Sequence, residues 1–272
     1  MACRRALANL LISAASIGRS QSGNSTFKSD VNIIVCATAQ KCTIVKVMKP
    51  IFPSEDMTTY QKQRCGLRYK DEVIKSTKQL LKTTTWRGTS SWIFKAEAEW
   101  YFTTFITGGY IRSGEELKPM IIKSTFGVKP MSIDVINWEI QGLLENVNKP
   151  LSFRSNAAHK LPALTTSEIE VDGPHSDLDE SAKCLRDLIL TQENDTKNKI
   201  KEKMFSDLIK EQKPDAHINA SYWTALISEG RGQEALKLIK EHYFHPNETN
   251  ENIFRQSQRI VSMYETYIMR RV

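Results

Sequence analysis

The sequence predicts a mainly α-helical protein built of helical hairpins of the α-solenoid type, with a short extended or β segment near the N-terminus. Two observations support this fold class. Apolar residues recur at steps of three and four along most of the chain, and glycines separate some of these amphipathic stretches. In contrast, residues 31–48 are rich in β-branched side chains and are followed by Pro50, so they predict a short hairpin or an extended arm.

The clearest helical hairpin lies at residues 221–245. Its first helix carries apolar side chains at Tyr222, Leu226 and Ile227, and a Gly-Arg-Gly turn follows at 230–232. The second helix is amphipathic, with an Ala-Leu pair and a Leu-Ile pair on its inner side. Because such a hairpin cannot bury its apolar face alone, it normally stacks on similar units. We therefore expect a scaffold that binds something long.

This hairpin resembles the pentatricopeptide repeat, a helix-turn-helix unit of about 35 residues. The matching positions are Tyr222, Leu226, Ile227, Gly232, Glu234, Ala235, Leu236 and Leu238. The first helix is a few residues shorter than the family's. A second resemblance covers 100–130 and closes with Gly127-Val128-Lys129-Pro130, although Pro119 lies where the second helix of that unit is expected.

The resemblance implies binding of single-stranded RNA, which members of the family read at about one base per repeat. By position in the two hairpins, the base-facing residues are Thr104 and Thr224, with Asn219 or Asp134 at places between repeats. Lysines would contact phosphates with less specificity, and the candidates are Lys123, Lys129 and Lys237.

The N-terminus predicts a mitochondrial transit peptide. No acidic residue precedes Asp30, while Arg4, Arg5 and Arg19 precede it on a stretch that is amphipathic at helical spacing. An amphipathic, Arg- and Ser-rich segment without acidic residues is typical of import into mitochondria. The alternatives are a secretory signal, for which Asn9 makes the apolar part poor, and an ordinary N-terminal helix. We expect a location in the mitochondrial matrix.

Composition gives weaker evidence. The formal net charge is +7 over 272 residues, and the four basic residues before Asp30 account for more than half of it, so the remaining excess is a modest argument for nucleic acid. The five cysteines include no Cys-x-x-Cys pair, and the chain has no phosphate-binding glycine loop and no catalytic motif. We therefore expect no enzymatic activity, no cofactor and no metal site. No stretch is long and apolar enough to span a membrane.

These observations divide the chain into five segments. The predicted order is a transit peptide at 1–22, an extended or irregular arm at 23–68, a helical repeat-like region at 69–148, a linker at 149–178, and a C-terminal helical region with the repeat-like hairpin at 179–272. Within the repeat-like region at 69–148, Trp92–Ile106 is expected to be a strongly aromatic helix. The linker is predicted from three prolines and several Ser and Thr residues.

Two functions follow from these expectations. In the first, the chain is a mitochondrial helical-repeat protein that binds RNA and acts in mitochondrial RNA metabolism or translation. In the second, it is a non-enzymatic structural subunit of the mitochondrial ribosome, or an assembly factor of a respiratory complex, and contacts protein only. The charge of the concave face distinguishes the two, since a basic and polar groove favours RNA and an apolar one favours protein.

Overall fold

The structure is a computed structural model of the chain. It describes residues 33–38, 41–46, 51–52, 54–113, 116–156, 159–171, 177–213, 215–243 and 251–271. The predicted transit peptide at 1–22 lies outside these residues. The chain divides into two compact units, Met1–Lys49 and Pro50–Val272.

The first unit contains a β-hairpin. Strands β1 (Ile33–Thr38) and β2 (Lys41–Lys46) pair antiparallel, and Thr38 lies opposite Lys41 at the turn. A hairpin was one of the two alternatives that the β-branched stretch at 31–48 predicted.

The second unit begins with a long helix and a five-stranded antiparallel sheet. Helix α1 (Thr59–Leu80) starts at a capping box, in which Thr58 and Gln61 exchange hydrogen bonds between side chain and backbone. The sheet has the order β3-β4-β5-β6-β7. Its strands are β3 (Arg87–Gly88), β4 (Trp92–Glu97), β5 (Trp100–Ser113), β6 (Glu116–Pro130) and β7 (Leu164–Val171).

This sheet contradicts the predicted α-solenoid. The expected aromatic helix at Trp92–Ile106 forms β4 and the first half of β5, and the expected helical hairpin at 100–130 is the β5–β6 hairpin. Successive side chains of a strand point to opposite faces of the sheet. In this stretch apolar and β-branched residues occupy both faces, and such residues favour a strand that is packed on both sides. Gly127 and Pro130, interpreted as the end of a helix and the start of a turn, lie at the end of β6.

One face of the sheet is covered by helices α1 and α4 (Leu178–Glu202). Polar contacts join this face of the sheet to α4. Ser124 on β6 donates a hydrogen bond to Gln192, and Lys95 on β4 forms an ion pair with Glu193 at 2.6 Å. Trp86 donates its indole hydrogen to the same Glu193. The main core lies here, around Phe102, Ile106, Phe126, Val73, Ile74, Leu185 and Ile189.

The remaining helices form a cluster that follows the sheet. They are α2 (Met131–Ile140), the short α3 (Phe153–Asn156), α5 (Phe205–Gln212), α6 (Ala220–Ser228), α7 (Gly232–Tyr243) and α8 (Glu251–Met269). Short 3-10 segments lie at Leu144–Asn148 and Ala216–Ile218. Helix α6 packs against α2, α5 and α7, while α8 packs against α7.

The helical hairpin predicted at 221–245 is present as α6 and α7. Gly230 has φ +79°, a left-handed conformation that glycine adopts without strain, and the amide of Arg231 beside it bonds to the carbonyl of Leu226 at 2.8 Å. These contacts end α6, and α7 begins at Gly232. The hairpin therefore forms from its local signals, but it packs in a cluster attached to a sheet.

The segment interpreted as a linker is structured over much of its length. Residues 149–178 contain α3 and the edge strand β7, which pairs with β6 from Ile122 opposite Val171 to Val128 opposite Leu164. The register shifts between Phe126 and Gly127. Part of this segment packs beside the sheet face opposite α1 and α4.

Candidate functional site

The face of the sheet opposite α1 and α4 carries a row of aromatic side chains. Strand alternation places Trp92 and Phe94 of β4 on this face, next to Tyr101 and Phe105 of β5. The Trp92 and Phe105 rings lie 4.5 Å apart between centroids at 34°, and both side chains are half-buried. Phe94 and Tyr101 stack at 6.2 Å and are buried. We call this surface the open face, because Trp92 and Phe105 remain accessible on it.

A cavity of about 200 Å³ opens on this face. The sheet contributes Trp92, Phe105 and three threonines, and the opposite wall is formed by the segment from Arg154 to Ala163. Lys160 on that wall places its Nζ 5.3 Å from the centroid of the Trp92 ring, which is a cation–π contact. The cavity therefore combines an aromatic shelf, hydroxyl groups and two cations, the accessible Lys160 and the buried Arg154.

A buried ionic cluster holds that wall in place. Asp134 on α2 is fully buried and accepts from Lys129 at 2.8 Å and from Arg154 at 2.9 Å. Lys129 also donates to the carbonyls of Arg154 (3.0 Å) and Leu161 (2.6 Å), and the Leu161 amide donates to Asp134 at 3.2 Å. Burial lowers the pKa of Lys129 to about 8, although the neighbouring Asp134 opposes this shift.

A hydroxyl pair adds to the same wall. Tyr101 and Ser155 share a hydrogen bond, and Thr103 lies 3.4 Å from the same serine oxygen. Burial raises the pKa of Tyr101 to about 12, so the phenol remains protonated at neutral pH. The phenol is therefore suited to hydrogen bonding and is not a base.

The charges on the open face are balanced. Lys123 on β6 pairs with Glu168 on β7 at 2.8 Å, which raises the pKa of this lysine, and Glu170 lies opposite Lys123 in the strand register. Lys160 is a further accessible cation on this face and borders the cavity. Such a surface attracts a planar group by stacking, with little contribution from net charge.

The structure places four of the seven predicted RNA-contacting residues in the interior. Thr104 shares a hydrogen bond with Ser124 beneath the helices, and Thr224 donates to the Ala220 carbonyl within α6. Asp134 and Lys129 belong to the buried cluster described above. Since a buried side chain cannot contact RNA in this conformation, their expected roles do not fit the fold.

The other three predicted residues are accessible but lie apart. Asn219 caps α6 by accepting the amide of Ser221 at 2.9 Å. Lys237 is exposed on α7, 3.9 Å from Glu241. Lys123 borders the open face. Sequence reasoning missed Trp92, Phe105 and Lys160 as a group, and the alternation of residues along 92–106 is the signal that would have found the two aromatics.

Other kinds of site were sought in the same residues. No group of three His, Cys, Asp or Glu side chains in the described parts of the chain is arranged to hold a metal ion. None of the helices described above has the length and apolar character that a membrane span requires. His242 of the His242-x-x-His245 pair packs on Trp223 with ring centroids 5.5 Å apart, and His245 lies outside the described residues.

The chain was compared with protein-family models, with curated proteins and with solved structures, and none of the three comparisons yields a match.

Proposed function

We propose that this chain is a non-enzymatic RNA-binding protein of the mitochondrial matrix that acts in RNA metabolism or translation, and that it binds single-stranded RNA on the open face. The observation that carries the proposal is the accessible Trp92–Phe105 pair beside Lys160. Unpaired bases stack on aromatic side chains exposed on antiparallel sheets, and this stacking tolerates many sequences. The site differs from the residues expected from the repeat resemblance.

The size and chemistry of the cavity support a nucleobase as the bound group. A volume of about 200 Å³ is below the range for drug-sized ligands and suits a single planar ring. The threonine hydroxyls at 103, 125 and 165 line it and offer donors and acceptors to a base edge. Lys160 beside the Trp92 ring supplies a positive charge for an adjacent phosphate.

The mitochondrial part of the proposal depends on the N-terminal sequence. Residues 1–22, fused to a fluorescent protein, are expected to direct it to mitochondria. Replacement of Arg4, Arg5 and Arg19 by glutamate is expected to abolish import, because the positive face of the helix is lost. Secretion of the unchanged fusion would contradict this assignment.

Binding of RNA is tested with the purified chain and a labelled single-stranded oligonucleotide of about ten nucleotides. Loss of one stacked base costs about 1–3 kcal/mol, so Trp92→Ala and Phe105→Ala are each expected to weaken binding roughly 5- to 150-fold. Tyr60→Ala is the matched control, since Tyr60 is an exposed aromatic on α1. Thermal melts of each variant show whether it is folded.

Two results would refute the proposal. One is the absence of RNA binding by the unaltered chain. The other is equal loss of affinity in Tyr60→Ala and in the two open-face variants. Lys160→Gln provides a further variant that leaves both rings in place, and we expect it to weaken binding less than Trp92→Ala does.

A second candidate function, a scaffold that contacts protein only, is supported by a different observation. A groove of about 870 Å³ runs between α7 and α8, with Tyr243, Phe254 and Val261 in its lining. Phe254 is 37% exposed. A groove of this kind suits an amphipathic helix of a partner such as a mitochondrial ribosomal protein or a respiratory-complex subunit. Crosslinking in isolated mitochondria, followed by RNA sequencing and mass spectrometry, distinguishes the two functions.

A further inference from the structure

A second groove, of about 320 Å³, lies between α2 and α8 and carries an excess of arginine. Its lining includes Glu139 from α2, and Arg259, Arg270 and Arg271 from α8 and the residues just after it. Three guanidinium groups therefore face one carboxylate. We call this region the arginine groove.

The single carboxylate is already paired. Arg271 contacts Glu139 at 2.6 Å, and its guanidinium carbon lies 4.5 Å from the centroid of the Tyr267 ring. Arg259 and Arg270 are exposed, and neither forms an ion pair with any residue that the structure describes. The groove thus keeps two positive charges that protein groups in the described chain do not neutralise.

Helix geometry places the two unpaired arginines on the same side of α8. Residues 259, 263, 266 and 270 succeed each other at steps of four, three and four, so they lie along one face of α8. Arg270 is close to the helix C-terminus, where the helix dipole favours a cation. Arg259 is exposed near the middle of the helix and lines the same groove.

We infer that the arginine groove binds phosphate groups of the RNA backbone, an inference that rests on the proposed RNA-binding function. Guanidinium groups bind phosphate through two parallel hydrogen bonds. Arg259 and Arg270 are separated by about 16 Å along the helix axis at about 1.5 Å per residue, so they suit two phosphates of one strand that are not adjacent. The open face has balanced charges and supplies stacking. The arginine groove adds two unpaired positive charges to the one that Lys160 supplies at the open face.

The test measures the salt dependence of RNA binding. Each phosphate contact on a single strand contributes about 0.7 to the slope of log affinity against log salt. The double variant Arg259→Gln/Arg270→Gln is therefore expected to reduce the slope by about 1.4, and to weaken binding equally for different sequences. Trp92→Ala is expected to weaken binding with the slope unchanged, which separates the two surfaces.

The control is Arg186→Gln/Arg255→Gln, which removes the same charge from two arginines, one partly and one fully exposed, that already pair with Asp187 and Glu251. The inference is overturned if both double variants change the slope equally, or if Arg259→Gln/Arg270→Gln abolishes binding to anionic phospholipid vesicles while binding to RNA is unchanged. If the unaltered chain binds RNA and only the slope prediction fails, the proposed function stands and this inference alone is wrong. If the unaltered chain binds no RNA, both fail.

Discussion

Replacing Asp134 by asparagine removes the negative charge from the buried ionic cluster while keeping the shape of the side chain. Lys129 is 1% exposed and Arg154 is 6% exposed, and Asp134 is the carboxylate that pairs with both. In Asp134→Asn the lysine and the arginine keep their backbone carbonyl acceptors but become two buried positive charges without a negative partner. The side-chain oxygen of the asparagine can still accept the hydrogen bond from the Leu161 amide, so the substitution mainly removes a charge.

Breaking a buried ion pair costs about 3–5 kcal/mol, because the remaining charge is not solvated. For a folded unit of this size, each kcal/mol lowers the melting temperature by about 2–4 °C. We therefore expect the Tm to fall by roughly 6–20 °C. The wall of the cavity at 154–163 depends on the same contacts, so the variant is also expected to weaken RNA binding at the open face.

The pH dependence gives a second measurement. The pKa of Lys129 is about 8 in the folded chain, below its value in the unfolded chain, so the unfolded state holds more protons above pH 8 and stability rises there with pH. In Asp134→Asn the attraction that opposes this shift is lost, so the rise begins at a lower pH. We expect the difference in unfolding free energy between the two proteins to be largest near pH 6 and to shrink toward pH 8.

Thermal melts give the Tm values, and urea unfolding followed by tryptophan fluorescence at a series of pH values gives the unfolding free energies. The control is Glu168→Gln, which breaks the exposed pair of Lys123 on the neighbouring strand and should leave Tm nearly unchanged. Equal Tm values for Asp134→Asn and the control would refute the reasoning. A stability difference that grows between pH 6 and pH 8 would also refute it, because it requires the opposite shift of the Lys129 pKa.

Two further predictions concern packing. In Gly127→Ala the new Cβ would lie 3.1 Å from the Cβ of Ala163 and 3.2 Å from the carbonyl oxygen of Leu164, so we expect a loss of about 1–3 kcal/mol in urea unfolding, partly restored by adding Ala163→Gly. Full restoration would contradict a contribution from the Leu164 carbonyl. Leu226→Ala, at a fully buried position of α6, is expected to cost about 2–5 kcal/mol. Leu238→Ala, at a partly buried position of α7, should cost less.

Several elements of the second half of the chain are predictable from local signals. The hairpin at 221–245 forms as α6 and α7, because the apolar spacing and the glycine-rich turn determine a helical hairpin without reference to distant residues. Helix α8 spans Glu251–Met269, where apolar residues including Ile260, Val261, Tyr264 and Tyr267 recur at helical spacing. In these stretches helical spacing, capping and turn residues agree with one another.

The middle of the chain was mispredicted for a physical reason. The dense run of aromatic residues predicts a buried helix, but the same density arises in a strand when both of its faces are packed. Along β5, Phe102, Thr104 and Ile106 pack under the helices, and Tyr101, Thr103 and Phe105 lie on the other face. Periodicity alone does not distinguish the two cases when nearly every position is apolar or β-branched.

The sequence by itself determined the helical hairpin, the β-branched character of 31–48 and the basic N-terminus, because each depends on residues within a few positions of one another. Only the tertiary structure decided that Asp134, Lys129 and Arg154 form one buried cluster, and that Trp92, Phe105 and Lys160 share an accessible surface. These groups come from separate elements of the chain. Their proximity depends on sheet register and on the fold of 149–163, which local patterns do not encode.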